Sequence, residues 1–315
     1  MMHTGKRIRI ALDAMGGDYA PDDPVKGAVI AAQSGNIEIM LVGPTDTIEA
    51  EISKYDVTNL PILIAHARDV IPEGGNPALN VRRMPDSSIA LAARMVRDGE
   101  TDGFVSAGPT GAVVTAALQY LGMIDGIHRP VIGGAIFDKA PATVVFDCGV
   151  NMDCKPYHLL TFAIIGDVFC RKFIGMEKPK IGLLNIGAEK DKGNLLTKEA
   201  YPLLEKSGLN FIGNIEGNQM TNGEANVIIC DGFTGNVLFK FVGSIGMFQD
   251  LAATSGNKQG GGMIFGVNGI VRKAQGSSRA AHIAAVIHQT REAIRSDFVD
   301  ALRTELKSIS QRVQL

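Results

Sequence analysis

The residues best placed to do chemistry lie where apolar runs stop in small, polar turns. Lys192 stands just before Gly193 and Asn194, at the end of NIGAEKDKGN (Asn185–Asn194), where a helical pattern begins. An ammonium there joins converging backbone N–H groups and the positive end of a helix dipole, a combination that holds phosphate or a developing oxyanion. The alternative is a solvated loop lysine in the charged run from Glu189 to Lys192. A second turn, CDGFTGN (Cys230–Asn236), sets Asp231 beside Thr234 and Asn236, a carboxylate with hydroxyl and amide neighbours. Asp231 equally suits the cap of a following helix. A third turn, SAGPTGA, brings Ser106, Gly108, Thr110 and Gly111 to a strand end, as Gly187, Gly232 and Gly235 are brought in the other two. Small residues let backbone donors converge on an anion, although each glycine taken singly is explained by turn geometry. The run Ile8–Pro24 also stops in an acidic Gly-Gly turn. It leaves Asp13, Gly16, Gly17 and Asp18 at the carboxyl edge of a sheet, where open α/β folds bind ligands.

Other catalytic signatures are missing. No G-x-G-x-x-G follows the first strand and no G-x-x-x-x-G-K-[ST] occurs, which removes the ordinary dinucleotide and P-loop readings. G-x-S-x-G and H-E-x-x-H are absent too. The six histidines show no metal-ligand spacing, and the four cysteines include no C-x-x-C pair. Neither a metal nor another cofactor is expected, and the cysteines read as buried, reduced thiols. What remains is a site built to hold an anion and position it.

The elements that must position these turns alternate along the chain in the manner of parallel strands joined by crossover helices. Strands are expected near Ile8–Leu12, Glu38–Val42, Ile62–Ala65, Gly103–Ser106, Val131–Phe137, Ala142–Asp147, Lys180–Asn185, Asn210–Ile212 and Asn226–Cys230. Most lack strict alternation, as strands buried on both faces should. Helices are expected over Pro24–Gln33, Ser87–Asp98 with a Ser cap, Thr110–Leu121, Pro156–Phe173 and Asn194–Ser207. From Ile283 to Val313 apolar residues recur at helical spacing, which predicts one long C-terminal helix packed on the core or on a second subunit.

With 315 residues the chain can bury a large core, and no linker marks a domain boundary, so it reads as one catalytic domain over 1–315, with two sub-lobes as the variant. A net charge of −2 argues against nucleic-acid binding. No signal peptide and no apolar run of about twenty residues is visible, which predicts a cytoplasmic protein.

LDAMGGD, the Arg and Ser pairs of RRMPDSS, SAGPTGA, FDCGVNMDCKP, NIGAEKDKGN, GNIEGNQMTNG, DGFTGNV and GVNGIVRKAQGSS occur in one order along nearly the whole chain. Together they resemble the bacterial phosphate acyltransferase (PlsX) family. The resemblance implies a doubly wound α/β/α sandwich with a mostly parallel sheet, similar to phosphotransacetylases and isopropylmalate dehydrogenases, and a homodimer. It also implies transfer of an acyl group from acyl-acyl carrier protein to inorganic phosphate. The acyl phosphate would feed phospholipid synthesis, with a membrane-bound glycerol-3-phosphate acyltransferase downstream. Lys192, Asn194, Asp231 and Asn236 would then serve catalysis. Because carrier proteins are acidic, Arg82, Arg83, Arg272, Lys273 and Arg279 are expected to dock one. Pro109, Ala188 and Gln275 depart from the family pattern, so no role passes to them. The segment from Lys240 to Gly266 is shorter than the protrusion by which the family attaches peripherally to membranes. Competing readings are a phosphotransacetylase acting on coenzyme A, a metal-dependent decarboxylating dehydrogenase and a non-catalytic phosphate- or nucleotide-binding regulator.

Overall fold

The computed structural model describes residues 7–135, 142–244 and 262–313. The first elements are β1 (Ile8–Asp13), α1 (Asp22–Gln33), β2 (Ile37–Gly43), α2 (Thr45–Ile52), β3 (Ile62–His66), α3 (Pro77–Arg83), α4 (Ser88–Arg97), β4 (Gly103–Ser106) and α5 (Thr110–Ala116). Then come β5 (Val131–Ala135), β6 (Val144–Phe146), α6 (Pro156–Phe169), β7 (Ile181–Leu184), α7 (Leu195–Lys206), β8 (Phe211–Ile215), β9 (Val227–Ile229) and α8 (Gly232–Ser244). The chain closes with β10 (Gly262–Phe265), β11 (Ile270–Lys273), α9 (Ala280–Arg295) and α10 (Phe298–Val313). It divides into two compact units, Met1–Gly122 with Ser255–Arg295, and Met123–Thr254 with Ser296–Leu315.

In the first unit the strand order is β3-β2-β1-β4-β11-β10, parallel except for the β10–β11 pair. Ile10, Ala11 and Leu12 are fully buried, which is why this strand reads as a continuous apolar run. The order reverses beside β1: the chain moves outward to β2 and β3, then returns to β4 on the other side. This switch point opens a crevice at the carboxyl ends of β1 and β4. Helix α1 packs on α9 through Gly27, where an added Cβ would lie 2.7 Å from the Ile283 Cβ.

In the second unit the order is β5-β6-β9-β7-β8, with only β5–β6 antiparallel among these described pairs. The path from β7 out to β8 and back to β9 makes a second switch point, and the loops after β7 and β9 flank it. Helix α6 is apolar all round and buried from His158 through Phe169, packed against α7, α10 and β9.

The expected strands are present with their ends moved by a few residues; residues 136–137 of the expected fifth strand lie outside the described residues. β10, β11, α2, α3 and α8 are additional. The expected long C-terminal helix is broken. Asp297 takes a left-handed φ of 51°, so α9 and α10 are separate helices belonging to different units. The predicted helices over Thr110–Leu121 and Pro156–Phe173 end in π turns, at Ala117–Leu121 and Cys170–Ile174. Ser87 does hold the N-cap position of α4, yet its side chain makes no capping bond.

Candidate functional site

Parallel register builds the first cluster. Leu12 faces Val105 across β1–β4, and Lys273 faces Ser106 across β11–β4, so Asp13, Ser106 and Lys273 come from three adjacent strand ends. Ser106 Oγ donates to Asp13 Oδ2 at 2.6 Å and accepts from the Gly108 amide at 3.0 Å. Asp13 Oδ1 takes the Met15 amide at 3.1 Å. Burial raises the Asp13 carboxyl above its ordinary value, opposed by bonds from Ser106, Ser88 and Met15 and by the Lys273 charge. Gly16 is required here: a Cβ would stand 2.5 Å from Asp13 Oδ2 and 2.6 Å from the Gly108 nitrogen. Asp18 donates its amide to the Gly276 carbonyl at 2.9 Å, and Gly17 has a φ of 99°. Gly111 lets α5 meet α3, since a Cβ would lie 2.6 Å from the Pro77 ring; Thr110, at the start of α5, is exposed. A cavity of about 260 Å³ opens at this edge, lined by Asp13, Asp18, Glu73 and Ser88 with apolar walls from Ile71 and Ile89. Its carboxylates, and the commitment of the Met15, Asp18 and Gly108 amides to internal bonds, make it a poor host for phosphate.

Two residues assigned to carrier docking belong to this region instead. Arg272 is 9 % exposed, donates to Gln289 on α9 at 3.2 Å, and is lowered to about 10 by burial. Lys273 turns inward, its ammonium donating to the Ala107 and Ala274 carbonyls; burial lowers it against the pull of Glu73, Asp13 and Asp18. Both corrections have one cause: β11 is an interior strand of this unit, buried over Ile270–Arg272 and packed against α9. Arg279 is exposed but engaged, pairing with Asp23 at 2.9 Å and lying 4.0 Å over the Tyr19 ring. Arg82 and Arg83, at the end of α3, are exposed.

The second cluster follows β6, β7 and β9. Asn185 closes the β7 turn: its Oδ1 accepts the Ile186 amide at 2.9 Å and its Nδ2 donates to the Lys192 carbonyl at 3.1 Å. Gly193, with a φ of 95°, leaves no room for a side chain beside Asn185 and Thr197. Gly187 is buried against the Lys192 stem, the Lys192 Cγ standing 3.0 Å from where a Cβ would be. Asn194 is the N-cap of α7, its Oδ1 accepting the Thr197 amide at 2.9 Å. The capping geometry leaves the Leu195 and Leu196 amides, at the first turn of α7, without intrahelical acceptors. Within the charged run, Lys190 is tied to Glu205 at 2.5 Å and lies over the Tyr201 ring. Lys192 is exposed and has no salt bridge with a described residue.

The β9 turn is closed. Asp231 caps α8, accepting the Thr234 amide at 2.9 Å and the Thr234 hydroxyl at 2.8 Å. The Gly232 amide donates to the Asn151 carbonyl at 2.7 Å, and the Gly235 amide to the Asp231 carbonyl at 3.0 Å. Glycine is needed at 235 because a Cβ would fall 1.7 Å from the Asp147 carbonyl oxygen. These glycines serve close packing rather than anion binding. Asn236 lies against Gly149, its Oδ1 3.2 Å from the position of a Cβ there.

Sequence reasoning passed over Asp147 and Asn151. The signal was present in FDCGVN, an aspartate at a strand end followed by glycine, the same pattern as Asp13. Cys170 and Cys230 are buried and Cys148 and Cys154 half-buried, all free. Burial pushes each thiol up, Cys154 to about 12, which keeps them protonated. Among the described residues no group of three or more His, Cys, Asp or Glu is placed to hold a metal.

The fold is that of the phosphotransacetylases. A Streptococcus pyogenes phosphotransacetylase matches with a TM-score of 0.68 at 19 % identity, over 94 % of each chain. The EutD phosphotransacetylase of Staphylococcus aureus matches with a TM-score of 0.66 at 16 % identity, over 92 % of this chain and 95 % of that one. In sequence, a family model described as "Fatty acid synthesis protein" matches residues 8–257. The phosphate acyltransferase of Pelotomaculum thermopropionicum is 41 % identical over 96 % of each chain, and that of Clostridium acetobutylicum 37 % identical over 96 % of this chain and 99 % of its own. The chain belongs to the phosphate acyltransferase family and is an acyltransferase.

Proposed function

We propose that the protein transfers an acyl group from an acyl-carrier-protein thioester to inorganic phosphate, with phosphate held at the β7 turn. The observation that carries the placement is that this turn alone, of the three small-residue turns described, combines open helix amides with an unpaired ammonium, Lys192. The SAGPTGA turn sits among carboxylates, and the CDGFTGN turn commits its Gly232, Thr234 and Gly235 amides to internal acceptors and brings no ammonium. A phosphate oxygen attacks the thioester carbonyl, the carbon–oxygen bond forms, the carbon–sulfur bond breaks, and the proton of hydrogen phosphate leaves with the thiol. No enzyme-bound intermediate is needed, and alignment of the two reactants supplies much of the rate. Lys192 and the α7 amides would stabilise phosphate or the tetrahedral oxyanion, each good donor contributing about 2.7–4 kcal/mol. Asn194 acts through its cap by fixing those amides, and Asn236 orients phosphate or the leaving thiol. Arg82 and Arg83 are exposed cations for an acidic carrier, whereas the exposed Arg279 is engaged with Asp23 and Tyr19.

Family membership supports a homodimer and a place in phospholipid synthesis, ahead of a membrane-bound glycerol-3-phosphate acyltransferase. No described helix is long and apolar enough to cross a membrane. Most of the segment weighed for peripheral attachment, residues 245–261, lies outside the described residues.

The test is turnover with hydroxylamine trapping of acyl phosphate, using acyl-carrier-protein and acyl-coenzyme A thioesters in parallel with phosphate. The proposal expects phosphate-dependent acyl hydroxamate, faster from the carrier protein. Faster turnover from coenzyme A would move the protein to the phosphotransacetylase reading, and none from either would refute the reaction.

A further inference from the structure

Asp147 follows β6 and is fully buried. Its carboxylate is saturated by nitrogen donors from one short loop. Oδ1 accepts the Gly149 and Val150 amides at 3.0 and 3.1 Å, and Oδ2 accepts the Asn151 backbone and side-chain amides at 2.7 Å each. Asn151 spends its second side-chain hydrogen on the Pro130 carbonyl at 2.7 Å. The loop so fixed forms the seat of the α8 turn. The Asn151 carbonyl receives the Gly232 amide, the Asp147 carbonyl fills the space a Gly235 side chain would need, and Gly149 lies against Asn236. Burial of so polar a group is costly unless every acceptor site is used, and here all four are.

We propose that Asp147 is a positioning residue for acyl transfer, setting Asn236 through the 149–151 loop without touching substrate. This rests on the reading of the site given above. In Asp147→Asn, one acceptor becomes a donor aimed at N–H groups, so the loop and the α8 turn seated on it should shift together. A residue acting through Asn236 loses its effect when Asn236 is gone, whereas a merely structural residue destabilises either background equally.

The experiment is a double-mutant cycle of Asp147→Asn and Asn236→Ala, read by kcat and by thermal unfolding, with amide hydrogen exchange on each protein. In the wild-type background kcat should fall by up to about 10²-fold, the scale of a small misplacement. In the Asn236→Ala background the further loss should be slight, while the change in Tm is the same in both. Exchange should accelerate at 232–236 as well as at 149–151. An undiminished loss of kcat without Asn236, or unchanged exchange at 232–236, would overturn the proposal. If the wild type makes no acyl phosphate, the assigned reaction falls, and the exchange arm still decides whether Asp147 sets the α8 turn.

Discussion

Three side chains read from the sequence as reactive groups turn out to divide their work. Asn194 spends its carbonyl oxygen as a helix cap and Asp231 spends both oxygens on Thr234, whereas the exposed Lys192 ammonium has no salt bridge to a described residue. Replacing Asn194 by Ala should therefore destabilise the protein by about 1 kcal/mol, measurable by urea unfolding, and reduce turnover less than loss of the Lys192 ammonium does. What a sequence conveys at this scale is residue type and neighbours, and so the four turns were legible. It does not convey which hydrogen bonds are already spent. Arg272 and Lys273 illustrate the same gap: a basic pair in a loop-like stretch reads as a docking surface, and only the placement of β11 inside a sheet turns both inward.

Elements were legible wherever burial is two-sided and the run is short. β1, β4 and β7 fall within a residue of expectation because continuous apolar stretches mark them regardless of period. The break between α9 and α10 was not legible, since apolar spacing continues through Ser296 and Asp297 while one backbone angle changes sign. α8 was hidden behind its glycines, which are there for contact with the loop after β6. Gly235→Ala should cost about 3 kcal/mol or more, read as a lowered Tm, because the new methyl group overlaps the Asp147 carbonyl. At the start of α6, His158 Nδ1 accepts the Lys155 amide at 3.0 Å, a bond only neutral imidazole can receive. Burial lowers His158 to about 4 from 6.5, so the unfolded chain binds the proton more readily. Its contribution is complete above pH 6.5 and is lost as pH falls toward 4. His282 and His288, lowered by burial, add to that slope, and the carboxyls of Asp13 and Asp147, raised by burial, oppose it. The readout is thus the difference between wild type and His158→Gln, whose neutral amide can accept the same bond: the variant should lose less stability between pH 6.5 and 4.

At the scale of the whole chain, each compact unit carries its own switch point, and each switch point carries a cluster of opposite character. The first gathers Asp13, Asp18 and Glu73 around one inward lysine; the second offers the α7 amides and Lys192. Family and reaction class were readable from the ordered motifs, whereas the contrast between the two edges depends on which amides fold inward. The account therefore turns on the phosphate dependence of turnover in Lys192→Ala, measured by hydroxylamine trapping at saturating acyl-carrier-protein thioester. It predicts a loss of about 10²–10³-fold in turnover, with the Tm unchanged, as expected for removal of an oxyanion or phosphate donor. Turnover and phosphate dependence equal to the wild type would contradict it.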